Sequence, residues 1–476
     1  MINFSNIKKI HFLGIGGAGM IPLVNLFKER DKNLKISGSD IKDFPLRKKL
    51  ERKGIKIYLS HKKENISKAD LVVYSSAIKE NNIELKEAKK QKIPIFHRFD
   101  ALLELLKEKK IIAVSGSHGK STTTALLGYL LIKSGLQPTI YLGAKTKYWP
   151  FGSHWGKGEY AIIETDEHDA SFLKTPAYYS IILNVDNDHL DPYGPFLGKF
   201  DLLKKAFLEF ALKTKNKCVI NLDDSFLKTF LAKKKLKTKV LTYSLKNKKA
   251  TLLAKNIKTL PFSLKRNYIS LADIYHNNKT YQLKLKLPSS INISNALAVL
   301  NIALLLNIPL RKSLKIIQNF FPVKRRFEIF PYKRITIVDD YAHHPQEVLA
   351  TLKIAQKLFP HRRIIVVFEP HRFSRVALLY KDFAKIFKNC DFLFLLEIDS
   401  AGEINFDSIS SQLILKEIIK NGYLPLKKLK LTNYEDIEKE IFDKIKKNDV
   451  LIFIGPGKIG NFVINFRKKY KNILNS

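Results

Sequence analysis

The stretch AVSGSHGKSTTT, residues 113–124, places Gly116 and Gly119 in a turn and follows them with Lys120 and Ser121 at the start of a helical pattern. A turn of this kind offers the backbone amides of Gly116, Ser117, His118, Gly119 and Thr122 to an anion. Lys120 can reach terminal phosphates, and the Ser121 hydroxyl suits Mg2+. The motif is shorter than a strict Walker A, because Val114 stands where the earlier glycine belongs. The hydroxyls of 121–124 also suit helix capping. A second glycine turn lies a hundred residues earlier. In FLGIGGAGM (12–20), Gly14, Gly16 and Gly19 match GxGxxG, with Gly17 and Ala18 between them. Asp40, in ISGSD, falls where a ribose-binding acid would sit. Alone, that pattern suits the diphosphate of NAD, FAD or another nucleotide.

Two acidic segments follow apolar, strand-like runs. IIETDEHDASFL (162–173) groups Glu164, Asp166, Glu167 and Asp169, and NVDNDHLDPYG (184–194) groups Asp188, His189 and Asp191. Carboxylates at strand ends suit Mg2+, which takes its other ligands from phosphate and water. In the last third, VDDYAHHPQEVLATLKIA (338–355) crowds Asp339, Asp340, His343 and His344 onto one turn. The paired histidines find no third metal ligand. VVFEPHRFSRVALL (366–379) projects His371, Arg372 and Arg375 from a loop into a helix start, where forked hydrogen bonds can hold a carboxylate or phosphate. GPGKIG (455–460) is a third glycine turn, read as structural.

The elements that must position these residues alternate between strand-length β-branched runs and helical patterns. Strands are predicted near 10–13, 69–74, 111–115, 160–164, 179–184, 217–221, 335–339, 363–368, 391–396 and 449–454. Such alternation means βαβ units and mostly parallel sheets. Joints near KEKK (107–110) and FPVKRRFE (321–328) divide the 476 residues into domains 1–107, 108–323 and 324–476.

Apolar residues make up 45% of the chain, enough for real cores, and no apolar run is long enough to span a bilayer. The N-terminus lacks a signal-peptide pattern. Cys218 and Cys390 are far apart and form no metal or disulfide pattern, which fits a reducing cytoplasm. Net charge is +40, from 84 Lys and Arg against 44 Asp and Glu. The charge is spread in short runs such as LAKKKLKTK (231–239), with no nucleic-acid-binding motif to organise it. A solvated basic surface and an acidic small-molecule substrate are expected, with no specific nucleic acid and no membrane insertion.

IHFLGIGGAGM followed by GSHGKSTTT resembles the Mur ligase family, the ATP-dependent amide ligases of peptidoglycan synthesis, from residue 10 to about 460. The resemblance implies an α/β fold of three domains: an N-terminal Rossmann-like UDP-binding domain, a central P-loop ATPase-like domain and a C-terminal Rossmann-like lid. It implies that Gly14, Gly16, Gly17, Ala18, Gly19, Asp40, Ser75 and Ser76 hold the UDP of UDP-N-acetylmuramate. ATP would bind residues 116–122, and Mg2+ would bind Ser121, Glu164 and His189, supported by Asp188 and Asp191. SSINISNALAVLNIALLL (289–306) corresponds to the family's adenine segment, with Asn295 as the contact and Ile291 in place of the usual histidine. Arg326 and Asp340 would also face ATP.

By the same resemblance, His371, Arg372 and Arg375 handle the amino acid and an acyl phosphate, and Lys120, His189, His344, Arg372 and Arg375 are catalytic. His344 or His343 is the expected base. The implied reaction joins L-alanine to the lactyl carboxylate of the sugar nucleotide, in a cytoplasmic monomer or dimer. DASFL and HRFSR favour single-alanine addition over attachment of a preformed tripeptide. An NAD-dependent oxidoreductase would leave the second glycine turn without a role. A nucleic-acid ATPase would need an apolar strand ending in Asp-Glu in the expected role.

Overall fold

The computed structural model describes residue 4 and residues 7–475, apart from 168, 187–194, 234–235, 237–238, 267–268 and 406. Three sheets follow one another along the chain. The first contains β1 (Lys9–Leu13), β2 (Lys35–Ser39), β3 (Lys56–Tyr58), β4 (Leu71–Tyr74) and β5 (Ile95–His97) in the order β3-β2-β1-β4-β5. All its pairings are parallel. The order reverses between β1 and β4, so a crevice opens at their carboxyl ends.

The second sheet contains β6 (Lys110–Ser115), β7 (Thr139–Tyr141), β8 (Ser153–His154), β9 (Tyr160–Glu164), β10 (Tyr179–Ile182), β11 (Lys217–Asn221), β12 (Val240–Ser244), β13 (Leu252–Thr259), β14 (Ser270–His276) and β15 (Lys279–Leu285). Its order is β15-β14-β13-β12-β11-β10-β6-β9-β7-β8. β6 pairs in parallel with both β9 and β10, which places the turn after β6 between the carboxyl ends of those two strands. The helix Lys120–Lys133 is apolar nearly all round and buried from Thr123 to Leu131, as a helix packed on several sides must be. It packs on the equally buried helix Ser290–Leu305.

The third sheet contains β16 (Glu328–Pro331), β17 (Thr336–Asp340), β18 (Ile364–Phe368), β19 (Phe392–Leu395), β20 (Leu429–Leu431) and β21 (Val450–Ile454) in the order β16-β17-β21-β18-β19-β20. Only the β16–β17 pair is antiparallel. The carboxyl ends of β17, β21 and β18 lie side by side, which gathers the turns after residues 340, 454 and 368.

The chain forms two compact units. The first spans Met1–Ile257, Ala272–Leu285 and Ser290–Phe321 and holds the first sheet and most of the second. The other spans Lys258–Leu271, Lys286–Ser289 and Pro322–Ser476. All ten predicted strands are present. Among the unpredicted ones, β3 and β5 are short, and β13 and β15 carry lysines and turn one face to solvent. Their placement depends on long-range pairing more than on local pattern.

Candidate active site

β6 ends at Ser115, and the helix Lys120–Lys133 begins five residues later. Gly116 (φ +133°) and Gly119 (φ +86°) take backbone angles that side-chain-bearing residues rarely adopt. A methyl on Gly116 would stand 3.0 Å from the Asn184 carbonyl oxygen, and one on Gly119 would stand 2.8 Å from Asn295 Oδ1. Asn184 clamps the turn: its Oδ1 accepts from His118 N at 2.8 Å, and its Nδ2 donates to His118 O at 3.1 Å. Ser117 Oγ accepts from Asp186 N at 2.9 Å.

The acidic segment after β9 closes on this turn. Lys120 Nζ lies 2.7 Å from Glu167 Oε2 and 3.6 Å from Asp166 Oδ1. Ser121 Oγ donates to Glu164 Oε1 at 2.8 Å, and Glu164 Oε2 accepts from Gly143 N at 3.0 Å. Burial works against the Lys120 ammonium, but Glu167, Asp166 and Glu164 outweigh it, raise its pKa and keep it charged. Burial pushes Glu167 up to about 7 against the pull of Lys120. Glu167 Oε1 is buried without a hydrogen-bond partner. Together, a hydroxyl, carboxylates and a buried ammonium form a site that phosphate oxygens and a hard cation could share. Among the described residues, no three His, Cys, Asp or Glu side chains form a metal-holding group. His189, Asp188 and Asp191 lie outside the described residues.

The first glycine turn leaves β1 and enters the helix Met20–Arg30. Gly14 has φ +73°, and a methyl there would stand 2.6 Å from Ser75 Oγ, just past β4. Asp40, just past β2, accepts from Gly16 N through Oδ2 at 2.9 Å. Gly14, Gly16, Asp40 and Ser75 therefore converge, with Gly17 and Ala18 in the same turn. Ser76 Oγ is tied to His97 Nε2 at 2.9 Å. Gly19 closes the turn, and its carbonyl accepts from Tyr141 Oη at 2.9 Å.

In the second unit, His371, Arg372 and Arg375 follow β18. Arg375 Nη1 donates to His371 Nδ1 at 3.3 Å, and the His371 and His343 rings lie 5.9 Å apart. Burial, with His343 and Arg375 alongside, pushes His371 down to about 4, and burial lowers His343 too. Both imidazoles are therefore neutral near pH 7. Arg372 holds φ +69° at the start of the helix Phe373–Ile386, kept there by its N–H donating to Asp399 O at 2.8 Å. Such strain in a residue other than glycine clusters at functional sites.

Glu403 takes the helix start, accepting from Ser374 N at 3.1 Å and Ser374 Oγ at 2.8 Å. Asp340 is buried, and its carboxylate accepts from Phe327 N at 3.0 Å and Ala342 N at 2.8 Å, so it staples the loop. Arg326 lies over the Tyr341 ring at 5.3 Å. His344 is buried at the amino end of the helix Pro345–Leu358, while His343 stands in the cluster with His371.

Residues 9–110, 114–303 and 325–457 match three family models, described as Mur ligase family, catalytic domain; Mur ligase middle domain; and Mur ligase, glutamate ligase domain. The chain belongs to the Mur ligase family. It is 36% identical over 470 residues to the UDP-N-acetylmuramate–L-alanine ligase of Aquifex aeolicus, covering 97% of this chain and 98% of that protein. It is 35% identical over 476 residues to the Rickettsia bellii protein of the same name, covering 98% and 97%. The crystal structure of the Thermotoga maritima UDP-N-acetylmuramate–alanine ligase is similar at a TM-score of 0.82 and 28% identity, covering 98% of this chain and 99% of that one. A murein peptide ligase from Psychrobacter arcticus has the same fold, at a TM-score of 0.69 and 21% identity, covering 98% and 99%.

Several residues of this Mur ligase escaped sequence reasoning. Asn184 is a lone asparagine after a strand, yet it holds both faces of the second turn's backbone. Arg325, not only Arg326, is built in: it donates to Asp339 at 3.2 Å and to the carbonyls of Gly455 and Pro456. That contact ties the third glycine turn to β17. Asn295 packs against Gly119 of the second glycine turn.

Proposed function

We propose that this Mur ligase joins L-alanine to the lactyl carboxylate of UDP-N-acetylmuramate, consuming ATP and releasing phosphate. The observation that carries the reading is two separate phosphate-suited turns within one unit, each at the carboxyl end of a central strand. Gly14–Gly19 is ringed by Asp40 and Ser75, and Gly116–Gly119 is backed by Lys120. One nucleotide is the handle of the substrate and the other is the fuel.

ATP binds the second turn, where its phosphate oxygens take the place of Glu167 and Asp166 beside Lys120, and Asn295 stands at the adenine side. Ser121 and Glu164 would hold Mg2+, together with His189 by the family resemblance, and the hard oxygen donors of the first two fit that ion. When bound, Mg2+ supplies charge neutralisation on the transferring phosphoryl group.

A lactyl carboxylate oxygen attacks the γ-phosphorus in line, ADP leaves, and an acyl phosphate forms. Lys120 stabilises charge that spreads over the phosphoryl oxygens. The neutral amine of alanine then attacks the acyl carbonyl, the tetrahedral oxyanion collapses, and phosphate leaves. Arg372 and Arg375 hold carboxylate and phosphate oxygens. A neutral histidine of the 343–344 pair accepts the amine's proton, and we take His343, which stands with His371 and Arg375, as that base. We place the domain joints near residues 107 and 323 and the enzyme in the cytoplasm. Cys218 and Cys390 are both free and buried, as a reducing compartment allows.

Phosphate release by the purified chain with ATP, Mg2+, UDP-N-acetylmuramate and single amino acids tests this function. Release that needs both the sugar nucleotide and L-alanine is expected. Release without the sugar nucleotide overturns it, and a requirement for a tripeptide in place of alanine assigns the chain to the tripeptide-adding branch.

A further inference from the structure

Arg98 opens the helix Arg98–Leu105 immediately after β5. Its guanidinium joins the first glycine turn to the segment that follows β9. Nη2 donates to Asp169 Oδ2 at 2.6 Å, and Nη1 donates to Tyr141 Oη at 3.3 Å. The Tyr141 hydroxyl in turn donates to the Gly19 carbonyl at 2.9 Å. Nη1 lies only 2.6 Å from the point where a methyl on Gly19 would sit. A forked cation is thus held directly over the last residue of the first glycine turn, where the amide dipoles of the helix Met20–Arg30 also favour an anion.

The partner Asp169 belongs to the same short segment as Asp166 and Glu167, the two acids on Lys120. It is anchored there by Ser171 N, which donates to Oδ1 at 3.0 Å. The Arg98 and Asp169 side chains are 21% and 27% exposed, so a ligand can reach the pair. A partly exposed ion pair adds little to stability. Stability alone therefore gives weak reason for an arginine at this place. Only Nη2 reaches Asp169, while Nη1 is turned to Tyr141 and Gly19, so the fork is not spent on the carboxylate and can engage phosphate oxygens beside the glycine turn.

We propose that Arg98 is a ligand for the diphosphate at the Gly14–Gly19 turn, and that Asp169 is its resting partner, which the diphosphate displaces. This rests on the reading that the first turn holds the uridine diphosphate group. The arginine swings a short distance from carboxylate to phosphate, with Tyr141 keeping Nη1 over Gly19. Asp169 competes with the ligand for the guanidinium and so lowers the affinity that the turn would otherwise show.

Calorimetric titration of the full chain with UDP and with ADP, and ligand-observed NMR with uridine, test this. Arg98→Gln is expected to raise the Kd for UDP at least tenfold while uridine and ADP stay within about twofold of wild type. Arg98→Lys, which keeps the charge but loses the fork, is expected to fall between. Asp169→Asn removes the competing charge and is expected to lower the Kd for UDP several-fold. Unchanged UDP binding by Arg98→Gln overturns the proposal, as does equal loss of UDP and uridine, which is the mark of a purely structural role. Weaker UDP binding by Asp169→Asn overturns the resting-partner assignment. If the wild-type chain binds ADP but no UDP, the reading of the first turn itself has failed.

Discussion

Lys120 is a cation held in reserve. Its ammonium is buried, it sits against Glu167 at 2.7 Å, and the surrounding carboxylates keep it protonated. On the proposed reading, those same carboxylates give way to the phosphates of ATP, so the residue would matter more in the reacting complex than at rest. Lys120→Ala is expected to lower the rate of phosphate release by about 10²–10³-fold or more, as loss of a preorganised charge contact does. UDP-N-acetylmuramate binding, measured by calorimetry, is expected to stay within about twofold, because the first turn shares no side chain with Lys120. Loss of both would mean that the two turns are not separate sites.

At the scale of elements, one buried carboxylate joins four pieces of the first sheet's layer. Glu84, on the helix Ile83–Lys90, accepts from Ser39 Oγ at the end of β2, from Asn65 Nδ2, and from Lys62 N at 3.2 Å. It also meets His61 Nδ1 at 2.8 Å and His11 of β1 at 3.7 Å. Ser39 is followed by Asp40, which holds Gly16, so the network also sets the floor of the first turn. Burial pushes the Glu84 carboxyl up, but His11, Ser39 and Asn65 outweigh it and hold the pKa down at about 2.

A carboxylate with a depressed folded pKa stabilises the protein fully above its unfolded value, near 4.5. That stability is lost as pH falls towards 2. Glu84→Gln is therefore expected to cost about 2–3 kcal/mol at pH 7. Urea denaturation of both proteins at pH 7 and pH 3 checks this. The gap should shrink at the lower pH, and an equal loss at both would show that shape and not charge holds the network.

The whole molecule carries 84 Lys and Arg against 44 Asp and Glu, a net +40. The functional turns use few of these cations. A diffuse positive field draws polyanions without reading them. Anisotropy measurements with two unrelated DNA duplexes should give equal affinities, each falling at least about tenfold between 50 and 200 mM salt. A tenfold preference for one duplex would reveal an organised surface in place of a diffuse one. The ligands proposed for this Mur ligase, two nucleotides and an amino acid, are themselves anionic or carry a carboxylate, so the same field favours their approach.

What could be read from the amino acids alone was whatever a few neighbouring residues decide. Glycines before a lysine and a hydroxyl make a tight turn into a helix because backbone angle and helix start are local. Ten strands were readable because long β-branched runs have little alternative to a buried parallel sheet. Family membership followed from the order of those turns along the chain. The partners of each turn were not readable. Asn184 clamps His118 because β10 lies beside β6, Glu167 meets Lys120 because β9 lies on the other side, and Asn295 reaches Gly119 because two buried helices pack together. Arg98 finds Asp169, and Glu84 gathers two histidines, in the same way. These contacts join segments far apart in sequence, and strand order and helix packing, which arise only when distant apolar surfaces are buried together, decide which side chains arrive.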